Sequence, residues 1–246
     1  MKAFVLAAGH GTRLRPLTDT MPKCLVPVRG VPILKIWLDL CRRHGVDDVL
    51  VNLHSHADQV QEFLSRENDG ITVRIFEEEK LLGSAGTLLA NRSWVESDEC
   101  FWVFYADVLT NVDLGRMLHF HRSHGGSATL GVYTVPDPSR CGVITVDSGN
   151  VVRDFVEKPQ HPTGNVVFSG ILLGTPAMLQ AIPDTGEADI ARDLLPNLVG
   201  RMYAYTISEF LLDIGTMHNY QVAQREWPGI AAAQESIAGT KTCSEA

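Results

Sequence analysis

The chain reads as an α/β protein built on a Rossmann-like, doubly wound, mostly parallel sheet, with a hairpin-rich second half that shares the same sheet. Two patterns predict this. Through the first half, short apolar runs alternate with segments whose apolar residues recur at helical spacing, the mark of successive βαβ units. From Ser127 onward, apolar runs follow one another across turn residues with no helix between them, which is hairpin grammar. At 246 residues, 45% apolar and 20% charged, the chain is long enough for one sizeable α/β domain.

Taken in order, residues 2–8 form a buried strand that runs into the small, flexible loop Gly9-His10-Gly11-Thr12-Arg13 and on to Arg15 and Lys23. Ile33, Ile36, Trp37, Leu40 and Cys41 recur on one helical face, and Gly45 stops that helix. A strand follows at 49–53, then a helix from a Ser55 cap through Leu64, a strand at 71–76 and a short helix at 84–91. The apolar run 101–105 leads to Asp107, and Asp113 caps a helix reaching His124. In the second half, strands are expected at 127–135, 142–146, 151–156 and 165–173, with Asp147-Ser148-Gly149-Asn150 as a turn. Helical patterns return at 176–182, 190–199 and 217–225, with a strand near 210–214. The expected organisation is a single domain over 1–228, in which residues 1–126 make the first lobe and residues 127–228 the second, followed by a loose tail over 229–246.

A net charge of −8 argues against a broad nucleic-acid or anionic-membrane surface, so any phosphate must be held by a few cations gathered in one cleft. The five cysteines, Cys24, Cys41, Cys100, Cys141 and Cys243, form no C-x-x-C pair, which disfavours a disulfide framework or a cysteine zinc site and fits a reducing compartment. No apolar run is long enough for a signal core or a membrane span, and the expected location is the cytoplasm. Among the helical histidines His119, His121 and His124, none stand four apart as zinc would want, and these three with His54 and His56 read as surface or supporting residues.

The first loop carries the strongest signal. An apolar strand followed by glycines and cations is what a polyphosphate site needs: backbone N–H groups that converge on anionic oxygen, with positive charge nearby. The spacing is not the dinucleotide fingerprint, because Leu14 stands where the third glycine belongs, and no Gly-Lys-Ser/Thr follows to make a Walker A loop. By itself the glycine turn is only a turn. The longer string Leu6-Ala7-Ala8-Gly9-His10-Gly11-Thr12-Arg13-Leu14-Arg15-Pro16-Leu17-Thr18, followed by Pro22-Lys23, resembles the signature of the sugar-nucleotide pyrophosphorylases. These nucleotidyltransferases join a nucleoside triphosphate to a sugar 1-phosphate. Within them the chain is most similar to the mannose-1-phosphate and heptose-1-phosphate guanylyltransferase-like members.

That resemblance implies roles for particular residues. Leu6, Ala7, Ala8, Gly9, Gly11, Thr12, Arg13 and Lys23 would line the nucleotide, together with Gly83, Ser84 and Gly86 from the segment after the acidic run 77–79. Asp107, which closes an apolar strand, and Asp213, at a strand-to-helix turn, would hold Mg²⁺ against substrate phosphate. Ala106 replaces the glycine usual before the first aspartate, and Met217 departs from the proline common after the second. Gly142, Glu157, Lys158 and Ser169 fall in segments similar to those that line the sugar pocket, with glutamate on hydroxyls and lysine on the sugar phosphate. Arg13, Lys23, Asp107 and Lys158 are the catalytic candidates. The implied chemistry is attack by a sugar 1-phosphate oxygen on the α-phosphorus, expelling pyrophosphate. GTP is the favoured donor, because the base-proximal segment lacks the glutamine of thymidylyl- and uridylyl-transferring relatives. Other readings stay open: another base, another phosphorylated acceptor such as phosphocholine, or a non-catalytic nucleotide-sugar sensor of the same fold. The resemblance also allows assembly of identical copies.

Overall fold

The computed structural model describes residues 1–67 and 70–231, so most of the tail expected over 229–246 lies outside the described residues. The chain opens with β1 (Lys2–Leu6), a short β2 (Pro27–Val28) and β3 (Val31–Pro32) pair, and α1 (Ile33–Arg43). There follow β4 (Asp48–Leu53), α2 (Ala57–Arg66), β5 (Thr72–Glu77), α3 (Gly83–Ala90) and α4 (Arg92–Val95). Then come β6 (Phe101–Tyr105), β7 (Val108–Thr110) and α5 (Leu114–Arg122). The second half supplies β8 (Ala128–Thr134), β9 (Gly142–Val146), β10 (Val152–Glu157), β11 (Val166–Gly174), β12 (Met202–Thr206), β13 (Leu211–Asp213) and α6 (Met217–Glu226).

Among the described residues nine strands form one mixed sheet, in which β5, β4, β1 and β6 lie side by side and parallel. β11 joins the edge of β6 antiparallel and carries the second half onto the same sheet. It then forks: its late residues pair with β6, while Val167 pairs with Val143 of β9, and β8 runs along its other side. β12 adds parallel to β8, and β10 folds back on β9 as a hairpin. Only β10 and β11 therefore run against the other strands of this sheet. Period-two alternation sends side chains to two cores. Ala3, Val5, Trp102 and Phe104 face α1, α2, α5 and α6, whereas Phe4, Phe101 and Val103 face α3, α4 and the turns after β11.

Several expectations need correction. The cap of α2 is His56, in the left-handed region at φ 56°, and the Ser55 hydroxyl instead meets His10 Nδ1 at 3.1 Å. The helical patterns at 176–182 and 190–199 are a 3-10 helix (Pro176–Ala181), one π turn (Ile190–Leu194) and a second 3-10 turn (Leu195–Leu198). Of the run of strands expected from Ser127, only β9 and β10 make a hairpin, because β8 pairs with β11 and β12. Local spacing does not reveal β12 or the β2–β3 pair. Nor does it reveal β7, which pairs with β13 in a separate two-stranded ribbon.

Candidate functional site

β1 sits inside the sheet, and the chain builds β4 and β5 on one side of it before crossing to β6 on the other. The crevice between the carboxyl ends of β1 and β6 is the switch point at which open α/β sheets take ligands. Two segments leave the sheet there, the glycine loop after β1 and Ala106-Asp107 after β6. A cleft of about 510 Å³ opens between them.

The loop is held by side chains that bond its backbone. Ala7 N–H donates to Asn52 Oδ1 at 2.7 Å, and the Thr18 hydroxyl donates to the Gly11 carbonyl at 2.8 Å. Gly11 has φ 63°, and a Cβ there would lie 3.0 Å from Thr18 Cγ2 and 3.1 Å from Lys23 Cβ, so the turn needs glycine. This fold of the loop brings Arg13 and Lys23 to the same end of the cleft. Lys23 Nζ is ion-paired with Asp107.

The β7–β13 ribbon brings the second aspartate alongside. Asp213 pairs in register with Val108, Ile214 N–H donates to the Asp107 carbonyl at 3.0 Å, and Gly215 N–H donates to Asp213 Oδ1 at 2.5 Å. A Cβ on Gly215 would lie 2.7 Å from Asp213 Oδ1, 3.0 Å from Arg13 Nη2 and 3.2 Å from Lys23 Nζ, which locates all three groups around one point. Burial, and next the charge of Asp107, push the Asp213 carboxyl above its ordinary pKa, while Lys23, the Gly215 N–H and Arg13 oppose them. Two carboxylates and two cations thus share a half-buried corner. Mg²⁺ takes one or two carboxylates and completes its shell with phosphate oxygens and water, so this donor set fits it.

The opposite wall follows β4 and β5. Asn52 Nδ2 donates to Glu78 Oε1 at 2.8 Å, the Thr87 hydroxyl donates to the same oxygen at 2.6 Å, and Leu82 N–H donates to Glu78 Oε2 at 2.9 Å. α3 begins here, and residues 186–189 reach across to it. The Ala188 carbonyl accepts from Ala85 N–H at 2.9 Å and Gly86 N–H at 3.0 Å, and Ala188 N–H donates to the Leu82 carbonyl at 2.9 Å. Gly83 has φ 74° and lies so close to the Ala188 carbonyl that a Cβ would overlap it. The Ser84 hydroxyl donates to Asp189 Oδ2 at 2.8 Å and accepts from Ile190 N–H at 2.7 Å.

At the other lobe, Glu157 ends β10 opposite Gly142. A Cβ on Gly142 would lie 2.5 Å from Phe155 Cζ and 3.0 Å from Glu157 Oε2, so a side chain is excluded. Lys158 follows in the left-handed region at φ 49°, its N–H donating to the Cys141 carbonyl at 3.0 Å and its Nζ paired with Glu157 Oε1 at 2.9 Å. Tyr105 stands between the two ends: burial above all, and further the charges of Asp189, Asp107 and Glu157, push its hydroxyl far up, and that hydroxyl lies 3.3 Å from Ser84 Oγ.

Of the residues expected from sequence, Leu6, Ala7, Ala8, Gly9, Gly11, Thr12, Arg13, Lys23, Gly83, Ser84 and Asp107 line the cleft. Asp213 stands beside its corner, and Gly142, Glu157 and Lys158 gather at the ends of β9 and β10. Two of the expected residues lie apart from these groups. Gly86 does not line the cleft; its N–H is spent on Ala188, and its lack of a side chain admits residues 186–188. Ser169 is buried in the fork of β11, where its hydroxyl accepts from Ile171 N–H at 3.2 Å beside Gly131. Among the cleft residues that were missed are Asn52, Glu78, Tyr105 and Glu187. A polar Asn52 inside an apolar strand was a usable signal; Glu187, far in sequence from its neighbours on α3, offered none. The histidines take supporting places. His121 and His124 both meet the Thr129 hydroxyl, at 2.9 and 2.8 Å, and burial first, then His124, lowers His121 to about 4. Among the described residues no group of three or more potential ligands is arranged for a metal, and no helix is long and apolar enough to cross a membrane.

Comparison with known proteins bears on this geometry. The family model described as Nucleotidyl transferase matches residues 2–228. Mannose-1-phosphate guanylyltransferase 1 of Arabidopsis thaliana is 34% identical over 227 residues, which are 89% of this chain and 63% of the relative. UTP–glucose-1-phosphate uridylyltransferase of Synechocystis sp. is also 34% identical, over 244 residues, 92% of this chain and 63% of the relative. The chain thus spans somewhat under two thirds of the length of these curated relatives. The crystal structure of HddC from Yersinia pseudotuberculosis superposes with a TM-score of 0.78 at 24% identity, covering 92% of this chain and 99% of that one, a likeness of fold.

Proposed function

The chain belongs to the nucleotidyl transferase family, and on that premise we propose that it transfers a nucleoside monophosphate from a triphosphate to a sugar 1-phosphate, releasing pyrophosphate. The observation that carries the proposal is the convergence of Arg13, Lys23, Asp107 and Asp213 at the switch point of the sheet. An attacking sugar phosphate is already an anion, so the site has no need of a general base. It must supply alignment and charge cancellation, which do most of the work in phosphoryl-type transfer.

The residues divide that work. The planar fork of Arg13 grips the leaving pyrophosphate, and Lys23, held by Asp107, neutralises the α-phosphate. Lys158 receives the incoming phosphate and Glu157 the sugar hydroxyls, with Gly142 allowing the ring to approach the backbone. Asp107 and Asp213 would hold Mg²⁺, which when bound would draw charge from the phosphate oxygens. The proposal extends to GTP as donor and a manno-configured hexose or heptose 1-phosphate as acceptor. The resemblance of the Leu81–Thr87 segment and the name of the Arabidopsis relative favour guanine; the Synechocystis relative is named for uridylyl transfer. The buried free thiols Cys24, Cys41 and Cys100 suit a reducing cytoplasm.

The test is pyrophosphate release with GTP, UTP, dTTP, CTP and ATP against a panel of sugar 1-phosphates. The expected result is turnover that requires an acceptor, with GTP the best donor. A pyrimidine triphosphate preferred by about tenfold, or about 1.4 kcal/mol in transition-state binding, sinks the guanine assignment and leaves the reaction class standing.

A further inference from the structure

Three carboxylates line the cleft, and two of them are committed. Glu78 accepts from Asn52, Thr87 and the Leu82 N–H, and Asp107 is paired with Lys23. The third, Glu187, has no hydrogen bond or ion pair to its carboxylate among the described residues, although it faces a cleft proposed to take a polyanion. Its backbone is nevertheless fixed. Thr185 Oγ1 donates to the Glu187 carbonyl at 2.8 Å, and Ala188 is bonded to Leu82, Ala85 and Gly86. Glu187 is thereby anchored against the start of α3, on the β4–β5 side of the cleft and away from the cations that face phosphate.

A carboxylate accepts hydrogen bonds and donates none. In an anionic ligand's site it is repulsive unless it meets donors, and two adjacent donors satisfy both its oxygens. Among the common bases only guanine offers that pair on its Watson–Crick edge, N1–H beside the N2 amino group. Adenine and cytosine set one amino group beside a bare ring nitrogen, and uracil and thymine set one N–H between two carbonyl oxygens. Each of those would point a lone pair at Glu187.

We infer that Glu187 is a specificity-determining residue that reads the N1–H and N2 amino group of guanine from the 186–189 segment. This rests on the nucleotidyltransferase reading above and supplies it with a physical ground for the choice of base.

ITP, which lacks only the 2-amino group, isolates the contact. With one accepted sugar 1-phosphate, kcat/KM for GTP and ITP is measured in the wild type, Glu187→Ala and Glu187→Gln, alongside calorimetric binding of both nucleotides and thermal melts. The wild type is expected to prefer GTP over ITP by about tenfold or more, and Glu187→Ala to bring the two within about twofold. Glu187→Gln, which keeps the shape and one acceptor, should fall between them and carries the comparison if the alanine variant melts early. An unchanged GTP-to-ITP ratio in folded Glu187→Ala overturns the assignment of Glu187 while the reaction stands. A wild type that prefers a pyrimidine triphosphate overturns the assignment together with the guanine reading. Neither binding nor turnover with any triphosphate overturns both this inference and the proposed function.

Discussion

The two ends of the cleft are built differently. At the phosphate end, Lys23 and Asp107 have side chains only 12% and 27% exposed, the glycine loop is tied to Asn52 and Thr18, and Asp213 arrives on a strand paired with β7. At the proposed sugar end, the Lys158 side chain is 64% exposed, and among the described residues its charge is paired only with its neighbour Glu157. Exposed pairs of that kind contribute little to stability and leave the cation free to move. Under the proposed function, the contrast shows where the fold places rigidity: the corner at which charge would build during transfer is preorganised, while the acceptor end would order around its substrate.

If that contrast is right, the largest losses come from the rigid end. Asp107→Asn and Asp213→Asn should each lower kcat by about a thousandfold, since a metal clamp on a charged transition state is worth several kcal/mol. Melting temperatures should hardly move, and full turnover in EDTA would break the comparison outright. The lysines sharpen it. Lys23→Ala should lower kcat by about a hundredfold, whereas Lys158→Ala should chiefly raise the sugar-phosphate KM, by about tenfold. Equal effects of the two variants on kcat would mean that both ends are built alike.

Smaller effects probe the backbone that holds each end. Gly83→Ala forces a side chain into a left-handed residue packed against the Ala188 carbonyl, and should cost about 2 kcal/mol, seen as a melting point lower by about 4–8 °C. The smallest is Ser169→Ala, which removes the acceptor of the Ile171 N–H and should cost about 1 kcal/mol in stability with the sugar-phosphate KM unchanged. A tenfold rise in that KM instead would return Ser169 to the sugar pocket.

Much of this architecture was legible because burial imposes a period. The unbroken apolar runs of β1 and β6 report a sheet covered on both faces, and the helical spacing from Ile33 to Cys41 reports the side of α1 that packs on it. β12 escaped notice because it is a short edge strand defined by its pairing with β8, a partner far away in sequence. Within the site, residues whose position alone decides their use were readable, such as Gly11, Arg13 and Lys23 around one turn. The positions of Ser169 and Gly86 were not readable, because they depend on a bulge and on a distant carbonyl, which no local spacing encodes. Glu187 was silent for the same reason.

For transfer to occur, the two ends must act together on one phosphorus atom. Following a reaction of GTP with mannose 1-phosphate and Mg²⁺ by ³¹P NMR tests that joint action most directly. The expected result is one pyrophosphate and one nucleoside diphosphate sugar formed per turnover, with neither appearing when the sugar phosphate is withheld. Phosphate or pyrophosphate released without the acceptor, or triphosphate left intact with every acceptor supplied, would contradict it.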